Sequence, residues 1–289
     1  MLARGARGEL KGSLGRIAAW SWGEGRTILL IHGWGGHAGR LTHYVEPLTH
    51  AGFRVLAFDA PGHGDSSGWR VSLPELAIAI AQVAEQVGPI HGVVAHSLGA
   101  TAVAIALRNG LHVDRAVFLA PASDPEKLSS RFGRLLRLSK AECELMKGRL
   151  LQRYNLRWSE LKIVDWARSL STSLLVFHDR GDFKVPLAEG QAIVRAWPRG
   201  QLVMTRGLGH HKILRDPAVI IRAVAFLAKS DGSRKNGSSQ ACRGKQGPPS
   251  GRLRPAPVRL GAPVWAESSR YSRAATMRRL EGNCHEERT

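Results

Sequence analysis

Short apolar runs, each four or five residues long, alternate with longer segments of helical periodicity along most of the chain. Runs of this kind are typical of strands buried on both faces, because helices cover both sides of a parallel sheet. The alternation therefore predicts a three-layer α/β fold with a mostly parallel sheet, whose ligands bind at the carboxyl ends of the strands. The predicted strands lie at 27–31, 54–58, 92–95, 116–119 and 174–177, with a weaker sixth at 201–205.

Helical patterns fill the intervals between the predicted strands. Ser72 is placed to cap one helix, with Glu75 at the partner position of a capping box. The interval at about 121–172 has no convincing strand and is too long for a connection of about 2–6 residues, so it is predicted to be an inserted helical cap. Four apolar side chains are expected on one face of a cap helix: Leu128, Phe132, Leu135 and Leu136. The predicted helices outside the cap cover 41–51, 73–87, 100–107, 187–196 and 218–228.

The character of the sequence changes near Lys229. Beyond it, Arg, Gly, Pro and Ser are scattered without a period, which predicts a disordered basic tail over 231–289 after an α/β domain over 1–230. The tail holds 12 basic and five acidic residues, in a chain whose net charge is +19. Charge alone does not identify an anion. Nucleic-acid binding by the tail is therefore an alternative less favoured than an extension without function.

Cysteine usage and hydropathy exclude several classes of protein. Three widely spaced cysteines build neither a disulfide framework nor a CxxC metal site, so a reducing, cytoplasmic setting is expected. No apolar stretch reaches about 18 residues, so no membrane-spanning helix is expected, and the N-terminus lacks the apolar run of a secretory signal. No histidine motif has zinc spacing and no phosphate-binding loop is present, so no metal and no cofactor is expected. The sequence gives no indication of the oligomeric state.

Reactive side chains follow the predicted strands. Ser97 lies in A-H-S-L-G (95–99), between a strand and a helix. A serine on such a sharp turn is held in a strained backbone conformation and projects its hydroxyl clear of the sheet, provided that its neighbours are small. Ala95 replaces the first glycine of the usual G-x-S-x-G pattern, which strains the turn without blocking it. The alternative interpretation is that Ser97 only caps the helix that follows.

A glycine-rich loop follows the strand at 27–31. In H-G-W-G-G (32–36), the glycines allow the backbone to turn back and direct N–H groups into a cleft. Two such donors stabilise the oxyanion of acyl transfer, and the N–H groups of Trp34 and Leu98 are the expected pair. A loop that is merely flexible is the alternative.

Carboxylates and histidines follow the two strands after the predicted cap. Asp179 and Asp182 come after 174–177, while His210 and His211 come after 201–205. A serine hydroxyl needs a histidine to accept its proton and a carboxylate to orient that histidine. One residue of each type is therefore expected to converge on the serine.

With these motifs in place, the chain resembles the α/β-hydrolase superfamily, in its esterase, lipase and acyltransferase branch with a short helical cap. The resemblance spans about residues 16–229 and rests on H-G-W-G-G, F-D-A-P-G-H-G-D-S (58–66), A-H-S-L-G, D-x-x-V-P (182–186) and G-H (209–210). The order Ser, Asp, His along the chain is the order that this fold uses. The resemblance implies the following roles: Ser97 as nucleophile, His210 rather than His211 as general base, Asp182 rather than Asp179 as orienting acid, and Trp34 and Leu98 as the oxyanion hole.

The resemblance implies a serine hydrolase that cleaves small-molecule carboxylic esters or thioesters through an acyl-enzyme. The alternatives are an acyltransferase with the same triad and a non-catalytic binding protein. In relatives the loop of Asp59 and His63 is structural, and His32 and His96 are expected beside the site. The segment 126–165 holds ten basic and five acidic residues, which indicates either a solvated helix face or attraction of anionic substrates.

Overall fold

The structure is a computed structural model that describes residues 1–229, apart from the side chains of Leu135 and Leu150. Eight strands form one sheet in the order β1-β2-β4-β3-β5-β6-β7-β8. β2 runs antiparallel to both of its neighbours, and every pair from β4 through β8 is parallel. The strands are β1 (Ala6–Gly12), β2 (Gly15–Trp22), β3 (Arg26–Ile31), β4 (Phe53–Phe58), β5 (Ile90–His96), β6 (Arg115–Leu119), β7 (Ser173–Asp179) and β8 (Gly200–Thr205).

Helices cover both faces of this sheet. Side chains of β3 alternate between two cores. Leu29 packs with the cluster that includes the helices Leu73–Val87, Leu98–Arg108 and Leu187–Ala196, and Leu30 packs with the cluster that includes the helices Val45–His50 and Pro217–Ala228. The three-layer α/β fold predicted from the sequence is therefore confirmed. The helices are α1 (Val45–His50), α2 (Leu73–Val87), α3 (Leu98–Arg108), α4 (Pro125–Leu135), α5 (Lys140–Tyr154), α6 (Trp158–Leu161), α7 (Leu187–Ala196), α8 (Gly209–Lys212) and α9 (Pro217–Ala228). Short 3₁₀ turns lie at Leu2–Arg4, Ala38–Tyr44, Ile163–Asp165 and Ala167–Ser169.

The predicted elements agree closely with the observed ones, with two exceptions. Each predicted strand lies within an observed strand, and α2 has the predicted bounds with the Ser72–Glu75 capping box. The N-terminal hairpin of β1 and β2 was not predicted, because β1 is largely exposed and carries no apolar run. The single helix predicted over 41–51 is a 3₁₀ turn followed by α1. Pro47 accounts for this break, because proline is tolerated only in the first turn of an α-helix.

The segment between β6 and β7 contains α4, α5 and α6 and, as predicted, no strand. Nζ of Lys147 on α5 lies 3.2 Å from a carboxylate oxygen of Glu126 on α4, which ties the two helices together. The expected apolar face of α4 is only partly covered, because Phe132 and Leu136 are 47% and 53% exposed. That this segment acts as a cap over the site stays a prediction.

Two further expectations concern the C-terminal tail and membrane-spanning helices. The tail predicted over 231–289 lies outside the described residues. Within residues 1–229, no helix combines the length and the apolar character needed to cross a membrane.

Candidate active site

Ser97 occupies a sharp turn between the carboxyl end of β5 and the start of α3. Its φ of 51° and ψ of −121° place it in a backbone region that residues other than glycine rarely adopt. The turn is tied to the sheet by its N–H, which donates to the carbonyl of Leu119 on β6 at 2.9 Å. The hydroxyl forms no hydrogen bond with any residue in 1–229 and is not sealed from solvent. A strained backbone thus presents a free alcohol at the carboxyl edge of the sheet.

Gly99 lets the elbow pack directly against the strand beside it. A Cβ at this position would lie 2.3 Å from the carbonyl oxygen of His32 and 3.0 Å from a side-chain carbon of Ile31. Neither group is the free end of a flexible side chain, because one is backbone and the other belongs to a buried β-branched residue. The last glycine of A-H-S-L-G is therefore required by packing.

This close packing makes Gly99→Ala a destabilising substitution. The added methyl group must push apart β3 and α3, and we expect the free energy of unfolding to fall by about 1–3 kcal/mol. Gly148→Ala on α5 is the matched control, since its Cβ meets nothing within 4 Å and alanine favours a helix by about 0.5–1 kcal/mol. Chemical denaturation of both variants measures the difference. Equal stability of Gly99→Ala and the unmodified protein would contradict this packing argument.

The loop 32–36 lies directly against the elbow. A Cβ on Gly33 would lie 2.8 Å from Nδ1 of His96 and 3.1 Å from the Cβ of Ser97, so a larger residue would require these neighbours to shift. The turn is closed by the N–H of Gly36, which donates to the carbonyl of Gly33 at 3.0 Å. Among residues 1–229, the N–H groups of Trp34 and Leu98 find no hydrogen-bond acceptor. Each of the two turns therefore carries an unpaired N–H donor: that of Trp34 follows Gly33, and that of Leu98 follows Ser97.

Asp182 and His210 form a buried pair. Nδ1–H of His210, on α8, donates to Oδ2 of Asp182 at 2.7 Å, and Oδ1 accepts the N–H groups of Lys184 and Val185 at 2.9 Å each. Burial alone raises the pKa of Asp182, but the hydrogen bonds from His210 and Val185 outweigh it and hold the pKa below its usual value. The carboxylate thus stays charged and holds the Nδ1–H of the imidazole, which leaves Nε2 as the ring nitrogen available to another partner.

His96 connects this pair to the elbow. Its Nε2–H donates to the carbonyl of His210 at 3.1 Å, and the two imidazole rings lie 4.7 Å apart. Ser97 is the next residue after His96, so the imidazole of His210 lies near the elbow. Nε2 of His210 forms no hydrogen bond with Ser97 or with any other residue in 1–229. In enzymes without substrate, hydrogen bonds of this kind are often open and tighten only when substrate binds.

The residues adjacent to this pair have other contacts. Asp179 is fully buried and accepts N–H groups of Gly181 and Leu208 and the hydroxyl of Thr205, so it organises the loop that carries His210. Burial would raise its pKa, but these hydrogen bonds lower it. His211 points instead to Nζ of a lysine at 2.8 Å. Of the two carboxylates and two histidines weighed in the sequence, the structure brings together Asp182 and His210.

The loop after β4 holds the glycine-rich loop in place. His63 accepts the N–H of Gly35 at its Nε2 (3.1 Å), and Asp59 accepts the N–H groups of Ala38 and Asp65. His32 donates its Nδ1–H to the next carbonyl at 2.8 Å and accepts a backbone N–H at Nε2, and burial lowers its pKa to about 4. These side chains contact loop backbone rather than Asp182 or His210. The resemblance described above implies such a structural role for Asp59 and His63.

Two further contacts were not foreseen from the sequence. His178 donates from Nε2 to the carbonyl of Val185 at 2.8 Å, in the loop that holds Asp182. Arg131 on α4 donates to the carbonyl of Phe183 at 2.6 Å. The Arg131 contact joins residues 52 positions apart, so no local pattern predicts it. His178 lies at the end of the predicted strand at 174–177, and that position is the one available signal.

Comparisons with known proteins agree with this geometry. Residues 24–161 match the family model described as "Serine aminopeptidase, S33". An esterase from Exiguobacterium antarcticum has the same fold, with a TM-score of 0.62 and 14% identity over 76% of this chain and 99% of that one. The chain has the α/β-hydrolase fold.

Curated relatives match this chain over short segments. A pimeloyl-[acyl-carrier protein] methyl ester esterase of Methylococcus capsulatus is 42% identical over 81 residues, which cover 27% of this chain and 30% of the relative. A monoacylglycerol lipase of Mycolicibacterium smegmatis is 45% identical over 49 residues, 17% of this chain and 18% of the relative. Across the curated relatives, the matched segments span 8% to 30% of the relatives' own lengths.

The groups at this site are of the kinds that acyl transfer uses. It combines an alcohol on a strained turn, a histidine oriented by a carboxylate, and two unpaired N–H groups beside the alcohol. In the part of the chain that the structure describes, no three His, Cys, Asp or Glu side chains are grouped as metal ligands. The arrangement is suited to nucleophilic attack on an acyl carbon.

Proposed function

We propose that this protein is a serine hydrolase that cleaves carboxylic esters or thioesters through an acyl-enzyme. The observation that carries the proposal is the buried Asp182–His210 hydrogen bond beside the strained turn of Ser97. Two of the curated relatives, a methyl ester esterase and a monoacylglycerol lipase, support ester bonds as the substrate class.

In the proposed mechanism, Oγ of Ser97 attacks the carbonyl carbon while its proton passes to Nε2 of His210. The negative charge that develops on the carbonyl oxygen is stabilised by the N–H groups of Trp34 and Leu98, each contributing about 3–4 kcal/mol. His210 then protonates the leaving alcohol or thiol, and Ser97 keeps the acyl group. Water repeats the sequence and releases the acid, with Asp182 stabilising the imidazolium in both halves.

A fluorophosphonate probe tests the proposed nucleophile. Such probes phosphonylate an activated serine, so we expect a covalent adduct on the peptide that contains Ser97, in one-to-one stoichiometry. Ser66 is the matched control: it is also buried, but its hydroxyl donates to the carbonyl of Asp59 at 2.6 Å and should stay unlabelled. Mass spectrometry of the digested full-length protein locates the adduct. An unlabelled Ser97 would favour a non-catalytic binding protein on the same fold.

Separate assays identify the molecule that accepts the acyl group and the type of bond that is cleaved. Hydrolysis of p-nitrophenyl acetate in water should proceed steadily, and products of transfer to added alcohols identify an acyltransferase instead. The description of the matching family model names an aminopeptidase, so an aminoacyl p-nitroanilide belongs in the same panel. Faster cleavage of that amide than of the esters would overturn the assignment to ester bonds.

A further inference from the structure

A cleft of about 550 Å³ lies between α4, the loop after β7 and the start of α7. Part of its wall is apolar, with Leu128 and Pro186 on opposite elements. Four cationic side chains also line it: Lys127, Arg131, Arg134 and Lys184. A cleft with apolar walls and convergent polar groups is the usual form of a small-molecule site.

The carboxylates on the wall of this cleft are already occupied by the protein. Asp124 caps α4 by accepting two N–H groups of its first turn, and its other oxygen lies 3.8 Å from Nζ of Lys127. Glu126 pairs with a lysine of α5 at 3.2 Å. Glu189 accepts both the hydroxyl and the N–H of Ser123 and a further backbone N–H at 3.2 Å. Asp124 and Glu126 are thus each paired with a lysine, and the charge of Glu189 alone remains to balance the other three cations.

The other three cations of the cleft have no carboxylate partner among residues 1–229. The side chain of Arg134 forms no ion pair or hydrogen bond there, and Arg131 uses one nitrogen to donate to the carbonyl of Phe183 at 2.6 Å. Nζ of Lys184 forms its one hydrogen bond among these residues with Nε2 of His211, at 2.8 Å. Burial, followed by the charge of Lys184, lowers the pKa of that histidine, so it stays neutral to a lower pH than an ordinary imidazole. Positive charge thus remains unbalanced in a partly apolar cleft.

We propose that this cleft binds an anionic group, a carboxylate or a phosphate, at the end of the substrate remote from the scissile bond. Arg131 and Arg134 would form charge-assisted hydrogen bonds with its oxygens, which the planar guanidinium suits. The cleft adjoins the catalytic groups, because Lys184 and Val185 line it and also donate their N–H groups to Asp182. Naming the anion as part of a substrate rests on the proposed ester hydrolysis, whereas the binding site itself does not.

Binding to the full-length Ser97→Ala variant tests the site without any need for turnover. At low ionic strength, titration calorimetry with hexanoate, hexyl phosphate and hexanol should show at least tenfold tighter binding of one or both anions than of the uncharged alcohol. The tighter of the two anions identifies the headgroup. Equal binding of hexanol and both anions would overturn the proposal.

Arg134→Ala locates the anion in the cleft. The substitution should weaken binding of the preferred anion at least fivefold. Arg149→Ala is the matched control, because that side chain is exposed on α5, lies outside the cleft and forms no contact among the described residues. It should change the affinity less than twofold. Equal effects of the two substitutions would show that only general surface charge attracts the anion and would reject the site.

A kinetic comparison connects the site to the reaction. For p-nitrophenyl esters of equal chain length, kcat/KM for an ω-carboxylate ester relative to its methyl-terminated analogue should fall at least fivefold in Arg134→Ala. An unchanged ratio would reject the substrate role while leaving the binding result in place. Absence of turnover with both esters would instead count against the proposed hydrolase.

Discussion

Replacing Ser97 by alanine is expected to lower kcat/KM for p-nitrophenyl acetate by at least about 10³-fold, and by up to about 10⁶-fold if the hydroxyl, imidazole and carboxylate act as one unit. The substitution removes the proposed nucleophile and nothing that the fold needs. The hydroxyl forms no hydrogen bond within residues 1–229, so its loss leaves no buried group unpaired. Stopped-flow and steady-state assays at neutral pH measure the loss. Retention of more than about a tenth of the activity would remove Ser97 from the mechanism.

Ser97→Gly separates catalysis from folding at the same position. Glycine adopts positive φ at no steric cost, so this variant should be as inactive as Ser97→Ala but more stable than it by about 1 kcal/mol or more. If the two variants instead unfold at the same denaturant concentration, then the strain at φ 51° does not exist in solution.

Asp182→Asn tests the role of the carboxylate while the proposed nucleophile, Ser97, is unchanged. The amide can still accept the N–H groups of Lys184 and Val185, so the loop should keep its shape. Facing His210, however, an amide N–H₂ group favours the wrong imidazole tautomer, and kcat should fall by about 10⁴-fold. Asp179→Asn is the contrasting variant, because Asp179 contacts the loop and not the imidazole. A larger loss in Asp179→Asn than in Asp182→Asn would reverse the assigned roles.

The parallel core of the fold was predictable because its strands from β3 to β7 are buried on both faces, whereas the edge strand β8 is only partly buried and gave the weaker signal. A run such as 92–95 is apolar throughout, and no solvent-facing residue interrupts it. β1 lacks this signal, because it exposes most of its residues. β2 carries an apolar run at 17–20 that is buried throughout, and this run was not predicted as a strand.

The candidate site was predictable in outline because strand ends in a parallel sheet converge. The order of Ser97, Asp182 and His210 along the chain was sufficient to place them at one edge. Hydropathy and spacing did not reveal which side chains hold this edge together. The contacts of Arg131 with the loop after β7 and of His96 with the backbone of His210 depend on tertiary packing between distant segments.

Acid is expected to destabilise the protein well above the pH at which its carboxylates protonate. Burial lowers the pKa of His32 from 6.5 to about 4, and burial together with the nearby His210 lowers that of His96 from 6.5 to about 3. The unfolded chain therefore binds more protons than the folded one at every pH between these values. Stability contributed by the neutral imidazoles is complete above about pH 6.5 and is lost as the pH falls towards the folded-state values. Each histidine should cost about 2–3 kcal/mol between pH 7.5 and pH 4.5.

Chemical denaturation at the two pH values measures this loss, and His96→Gln isolates one contribution. The glutamine amide keeps a donor for the carbonyl of His210 but does not titrate, so the difference between pH 7.5 and pH 4.5 should shrink by about 2–3 kcal/mol. His50→Gln is the matched control, since its imidazole is exposed at the end of α1 and the same substitution there should leave the difference unchanged. An equal response in both variants would mean that His96 titrates in the folded protein as it does in water. The imidazole of His96 would then carry a charge in mild acid. Its burial against the imidazole of His210 argues against that charge.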